Sequence, residues 1–215
     1  MILKLYGIAL SPNVQRAAMV LREKKVPFEF HSVDLSKGEH KSPEYKEKNP
    51  FGSVPYLDDN GFVIFESRAI ARYVEDKFSG QGRDLIPKDP KKRALFEQAA
   101  AYEHSRFDRH ATPFIHEKFW KPFIGQTTDE HLAKYNLERL EQTADVYEVI
   151  LSKQKYLAGD EITLADLLHL PYGTYLPTAG ADIFSTRPNL ARWFKDLSEQ
   201  PSWLAVKDGV ATFTG

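Results

Sequence analysis

The stretch NPFGSVPYLDD, residues 49–59, sets a problem whose answer decides the fold. Val54, Tyr56 and Leu57 favour a short strand running into the polar pair Asp58-Asp59, yet Pro55 stands where a ladder N–H is needed. Proline cannot donate to a sheet and is confined to edges, bulges and strand starts. Two readings of the Val54-Pro55 bond are open. A trans bond at a strand start is favoured by frequency, since only about 5–6% of X-Pro bonds in folded proteins are cis. A cis bond would turn the Val54 peptide groups outward, free to pair with a ligand backbone as an added strand would.

The surrounding pattern is that of a small α/β domain. Residues 2–6 are a β-favouring run that ends at Gly7, and over residues 14–24 the apolar Val14, Ala17, Ala18 and Leu21 fall at helical spacing. Residues 28–35 (FEFHSVDL) alternate as a strand, and Ser42-Pro43-Glu44 opens a short polar helix. Strands over 54–57 and 62–65 flank the turn DDNG at 58–61, after which Ala69, Ile70, Tyr73, Val74 and Phe78 return to helical spacing. The expected order is β-α-β-α-β-β-α.

From Ser79 the composition changes to SGQGRDLIPKDP, the Gly-, Pro- and charge-rich pattern of a linker. Gly80 and Gly82 do not make a phosphate loop, because no strand precedes them and no GK[ST] follows. Beyond Asp89 the pattern is helical almost throughout, with helices expected over 90–121, 128–153, 163–172 and 189–199. The domains are therefore expected at 1–80 and 89–215, joined by a linker at 81–88. Pro113 lacks the N–H for the Arg109 carbonyl, so a kink is expected there. Thr163-Leu-Ala-Asp166 has the spacing of a capping box, with Asp in the usual place of Glu.

Composition narrows the function. The chain has 215 residues, 42% of them hydrophobic and 27% charged, the balance of an ordinary globular protein. Lys+Arg 29 against Asp+Glu 30 gives a net charge of -1, so neither nucleic acid nor an anionic membrane surface is an expected partner. The absence of cysteine removes disulfides, thiolate metal sites and Cys nucleophiles together, so any redox activity must borrow its sulfur. No run approaches the ~18 apolar residues of a membrane span, and MILKLYGIALSPN reads as strand and turn rather than signal peptide, which points to a cytoplasmic protein. His104, His110 and His116 recur every six residues, a rotation of about 240° around a helix, so they cannot share one ion and no metal is expected.

The segments YGIALSPNVQRA, GEHKSPEYKEKNPFGSVPYL and FESRAIARYV, followed by GQTTDEHLAK, LEQTADVYEVIL, KYLAGDEITLADLLHLP and RPNLARWFKDLSEQPSW, cover nearly the whole chain. In order and spacing they resemble the phi class of glutathione transferases. The resemblance implies a thioredoxin-like βαβ-ββα domain followed by an all-α domain, with glutathione as co-substrate and hydrophobic electrophilic small molecules as the second substrate. It also implies a cis Pro55, with Val54 pairing through its backbone to the cysteinyl part of glutathione.

Residue by residue, the resemblance makes Ser11 the catalytic serine, a group that on local pattern alone is a helix N-cap before Pro12. Its role would be to donate a hydrogen bond to the bound thiolate. Glu66 and Ser67, which could equally be capping residues, would hold the γ-glutamyl end, and His40 and Lys41 would approach the glycyl carboxylate. Where phi members commonly carry Gln or Lys before the Val-Pro pair this chain has Ser53, whose side chain is shorter. Leu10, Pro12, Leu35 and Phe114 are the expected acceptor-pocket residues, although an aromatic such as Phe114 is ordinarily core. Phe51 would insert into a partner subunit, making a homodimer. Conjugation through the serine-stabilised thiolate is the leading expectation, with organic hydroperoxide reduction as a side activity and a non-enzymatic ligandin as the alternative.

Overall fold

The structure, a computed structural model, describes residues 2–215. Alternation along Leu3–Gly7 (β1) buries Leu3, Leu5 and Gly7, and Pro12–Glu23 (α1) packs its Val14, Ala17, Ala18 and Leu21 face out of solvent. Phe28–Ser32 (β2), Pro43–Lys48 (α2), Tyr56–Asp59 (β3), Phe62–Phe65 (β4) and Ser67–Lys77 (α3) follow, in the order read from the sequence. The sheet runs β2-β1-β3-β4, with β1 parallel to β2 and the remaining pairs antiparallel.

Two strands are displaced from their expected positions, for local reasons. β3 spans Tyr56–Asp59 rather than 54–57, because Pro55 has no N–H to give and the ladder begins only after it. β2 stops at Ser32, and the Asp34 carboxylate then draws in the Ser36 N–H at 2.9 Å and hydroxyl at 2.6 Å, turning the chain. The turn between β3 and β4 has Asn60 at φ 55 and Gly61 at φ 95, the left-handed pair that a two-residue hairpin needs.

The chain divides into two compact units, Met1–Asp84 with Gln200–Gly215, and Leu85–Glu199. The first unit thus takes back the C-terminal segment that the sequence reading gave to the helical domain. Its short helix Pro201–Leu204 (α11 in chain order) buries Trp203, and Phe213 exchanges backbone hydrogen bonds of 2.9 Å with Phe28 on the outer edge of β2. The boundary between the units falls within the expected linker at 81–88, and that stretch is anchored rather than free. Fully buried Lys24 holds the Arg83 carbonyl at 3.0 Å and ion-pairs with Glu75 at 3.2 Å, while Gly82 (φ +63) passes so close that a Cβ would lie 2.1 Å from the Glu23 carbonyl oxygen. Leu85 and Ile86 are buried in the second unit, so little of this stretch is free.

The second unit is helical: Pro90–Tyr102 (α4), Arg109–Ile115 (α5), Lys121–Phe123 (α6), Glu130–Leu151 (α7), Leu164–Leu167 (α8), Leu170–Gly173 (α9) and Pro188–Ser198 (α10). The expected helix over 90–121 is interrupted by π-helical turns at Glu103–Asp108 and His116–Trp120, which flank the piece containing Pro113. Likewise the helix expected over 163–172 is split, since Pro171 has no N–H for the Leu167 carbonyl. The capping box is present: Asp166 accepts from the Thr163 N–H at 2.9 Å and its hydroxyl at 2.8 Å. Among the described residues no helix is long and apolar enough to cross a membrane.

Behind α8, fully buried His169 sits between the Ala165 carbonyl at 2.9 Å, which takes the Nδ1 proton, and the Tyr147 hydroxyl at 3.0 Å, which donates to Nε2. Burial holds this imidazole below its ordinary value of 6.5. The unfolded chain therefore takes up the proton before the folded one. Stability is complete above about pH 6.5 and falls as pH drops through that value, by up to about 1.4 kcal/mol per unit. Urea titrations across pH 7.5–5 should show this slope in the native chain and a shallower one in His169→Gln; equal slopes would remove His169 as its source.

Candidate functional site

Strand register brings most of the expected site residues to one end of the sheet. Tyr6 pairs with Tyr56 and Tyr56 with Phe65, so continuing both registers sets Gly7-Ile8 beside Val54-Pro55, and Val54-Pro55 beside Glu66-Ser67. The Val33 N–H bonds the Gly7 carbonyl at 2.8 Å and carries the 33–35 segment to the same end.

Ser11 occupies the N-cap position of α1 with extended backbone (φ -68, ψ 126), and its N–H closes a turn on the Ile8 carbonyl at 3.0 Å. Its hydroxyl makes no capping bond. The oxygen is thus left for another partner at the positive end of a 12-residue helix. Val54-Pro55 is cis, as the resemblance implied. The Val54 side chain packs against Val33, Tyr45 and Tyr56, while among the described residues its N–H and C=O have no hydrogen-bond partner.

The loop before Val54 is held from beneath. Buried Asn49 donates to the Ser53 carbonyl at 2.7 Å and hydroxyl at 3.2 Å and accepts from the Phe51 N–H at 3.2 Å; the Tyr45 hydroxyl adds a second bond to Ser53 O at 2.8 Å. Gly52 is left-handed (φ +57), and a Cβ there would meet the His40 carbonyl oxygen at 2.6 Å. Lys41 Nζ donates to the Gly52 carbonyl at 2.6 Å and the Phe51 carbonyl at 3.3 Å, leaving one of an ammonium's three donors. His40 Nδ1 is buried with no partner. Burial, then the charges of Lys41 and Lys46, hold the His40 ring below its ordinary value, so it is neutral at pH 7.

Glu66 has φ +69, a conformation costing a non-glycine residue on the order of 1–3 kcal/mol, and its exposed carboxylate makes no capping bond. Ser67 is buried, and its hydroxyl accepts from Arg16 Nη1 at 2.9 Å, which also donates to Asn13 Oδ1 at 2.5 Å. Arg16 and Asn49 were not anticipated from the sequence. Arg16 meets a group 51 residues away; its one signal is a basic residue directly before the apolar run AAMVL. Leu10 and Leu35 are 52% and 37% exposed, and Pro12 is buried beside Ser11. Phe114 lies in the helical unit and is only 2% exposed. Among the described residues no group of three His, Asp or Glu could hold a metal ion; His110 Nδ1 instead faces Asn136 Oδ1 at 2.9 Å.

Over 195 residues, 89% of each chain, the sequence is 44% identical to glutathione S-transferase PM239X14 of Arabidopsis thaliana. The chain belongs to the glutathione S-transferase family. Within it, residues 1–76 match the profile of the glutathione S-transferase N-terminal domain and residues 111–201 that of the C-terminal domain. The crystal structure of glutathione transferase F7 from Populus trichocarpa superposes with a TM-score of 0.93 at 39% identity, covering 96% of this chain and 98% of that one. A maize glutathione S-transferase I in complex with an atrazine glutathione conjugate gives 0.89 at 33%, covering 97% of both. The relatives place this glutathione S-transferase in the phi class, and its first unit has the thioredoxin-like fold of the family. A separate cavity of about 580 Å³ lies in the helical unit, lined by Arg106, Arg109, Arg139, Tyr102 and Tyr135 among others, and none of the expected site residues borders it.

Proposed function

We propose that this glutathione S-transferase conjugates glutathione to hydrophobic electrophiles, with the bound thiol held as thiolate by the Ser11 hydroxyl. The observation that carries the reading is a serine hydroxyl at the N-terminus of α1 that takes no part in capping. A hydroxyl is too weak an acid to act as a permanent base, but donating to S⁻ favours the charged form, and the helix end adds to the effect. With an aryl halide the thiolate forms a C–S bond and the halide leaves with the bonding pair, so no protein group need supply a proton.

Glutathione is bound along the sheet end. The Val54 N–H and C=O pair with the cysteinyl backbone as an added strand would. The Glu66 carboxylate takes the γ-glutamyl ammonium, and the Ser67 hydroxyl, fixed by Arg16, takes its carboxylate at the N-terminus of α3. Ser53 Oγ accepts from Asn49 and keeps its proton to donate, so Ser53 shares the glycyl carboxylate with His40 and the remaining Lys41 donor. Leu10 and Leu35 give the acceptor an apolar wall; Pro12 and Phe114, both buried, contribute little surface.

A panel of aryl halides, isothiocyanates, a bulky organic hydroperoxide and hydrogen peroxide tests this reading. Conjugation of the hydrophobic electrophiles is expected, with slower reduction of the bulky hydroperoxide and still slower reduction of hydrogen peroxide, whose polar ends would be buried unpaired. The arginine- and tyrosine-lined cavity favours a second reading, a ligandin for hydrophobic anions. Tight binding of glutathione and hydrophobic dyes with no turnover of any substrate would establish the carrier in place of the enzyme.

A homodimer is also proposed. Phe51 is 71% exposed yet rigidly presented, its loop fixed by Asn49 and Lys41 and its ring edge-on to Phe65 at 5.9 Å. An ordered apolar anchor of this kind is worth about 2 kcal/mol or more to an interface. Light scattering at micromolar concentration should give twice the chain mass for the native protein and a monomer for Phe51→Ala; a native monomer would end the proposal.

A further inference from the structure

The C-terminal segment at 206–210 holds the chain on both sides of Ser11. The Val210 N–H donates to the Ala9 carbonyl at 3.0 Å, inside the turn that the Ser11 N–H closes on Ile8. Beyond Ser11, fully enclosed Gln15 donates through Nε2 to the carbonyls of Val206 at 3.3 Å and Lys207 at 2.9 Å. The Gln15 N–H in turn bonds the Ser11 carbonyl at 2.9 Å. Gly209 takes φ +135, a backbone conformation that favours glycine, as the segment passes Ala9. The segment is itself secured at both ends, by the Ser202 hydroxyl on Glu23 at 2.5 Å and by the paired bonds of Phe213 and Phe28.

We propose that residues 206–210 are a positioning segment for the Ser11 hydroxyl, with Val210 and Gln15 as the positioning residues. This rests on the reading that Ser11 acts on the bound thiolate. Residues 8–11 form neither helix nor strand, so their geometry is set by the bonds that cross them. A hydrogen bond to sulfur needs the hydroxyl in one place, and a misplacement of about 1 Å can cost as much as a hundredfold in rate. The clasp fixes that place from a part of the chain remote in sequence, without touching either substrate.

The test uses the full chain with three variants beside Ser11→Ala. Val210→Pro removes the N–H that holds Ala9, Val210→Ala keeps it, and Gln15→Met removes the bonds to 206 and 207 in a side chain of similar length. Gln15→Met deprives the Val206 and Lys207 carbonyls of a donor, which costs stability, so urea unfolding first establishes that each variant is folded under the assay conditions. Thiolate absorbance of bound glutathione against pH, with kcat and KM for an aryl halide, should show the thiol pKa raised and kcat lowered about tenfold in Val210→Pro and Gln15→Met. The KM for glutathione should stay within about twofold, and Val210→Ala should behave as the native chain. If Val210→Pro does not fold, Gln15→Met decides. A native thiol pKa in the folded variants, while Ser11→Ala raises it, overturns this inference and leaves the proposed function standing. A thiol pKa that Ser11→Ala itself does not move overturns both.

Discussion

Ser11→Ala is expected to slow conjugation by about ten- to a hundredfold at pH 6.5 while glutathione binding changes little. A hydrogen bond to a charged partner is worth roughly 1.5–3 kcal/mol, which is one to two pK units on the bound thiol. The proposed binding contacts come mostly from elsewhere, from the Val54 backbone, Glu66, Ser67, His40 and Lys41, so affinity should survive. The pH profile carries the sharper test. If the hydroxyl acts by favouring ionisation, the acid limb of the variant moves up by that same amount and the two rates converge at high pH, where both thiols are ionised. A uniform loss at every pH, with the thiol pKa unmoved, would exclude Ser11 from thiolate stabilisation.

The second large effect is on stability. Asp166 is fully buried and accepts four hydrogen bonds, from Leu157 N–H, Thr163 N–H, the Thr163 hydroxyl and Trp193 Nε1, at distances from 2.8 to 2.9 Å. Asp166→Ala leaves all four donors in a dry interior. Stranding such groups costs about 1–3 kcal/mol each when no water can reach them, and breaking a buried charged network costs about 3–5 kcal/mol. Against a typical total of roughly 5–15 kcal/mol, that is enough to unfold a large share of the protein at physiological temperature. Urea unfolding should show the midpoint falling accordingly. Asp166→Asn should be nearly as harmful, because its amide sets donors against donors. A loss under about 1 kcal/mol for the alanine variant would mean that water replaces the carboxylate.

The element order was legible where elements carry their own local signal: in the first unit the apolar spacing at Val14, Ala17, Ala18 and Leu21 and the Asn60-Gly61 turn, in the second the Thr163–Asp166 box. Ser11, Val54, Glu66 and Ser67 were singled out through the resemblance, and register sets Val54 beside Glu66-Ser67 and beside Gly7-Ile8, just before Ser11. What the sequence hid is non-local. Arg16 on Ser67, Lys24 on Glu75, and Val210 on Ala9 join residues far apart along the chain, and no periodicity records such partners. The C-terminal segment was misassigned for the same reason, since its composition continues that of the helices before it while its partners lie at the other end of the sequence.

That return of the chain has a consequence for synthesis. Residues 1–84 leave the ribosome with the outer edge of β2 bare and Gln15 without its bonds to 206 and 207, and all of 85–199 emerges before the missing piece arrives. The helical unit is continuous; the first unit, although its four strands all lie before residue 66, lacks the segment that bridges β2 at Phe28. A nascent or recombinant fragment ending near Asp84 leaves the outer edge of β2 uncovered, and exposed strand edges are the usual template for intermolecular pairing. A stand-alone version of the first unit therefore needs residues 200–215 grafted back, by a short connector in place of the helices.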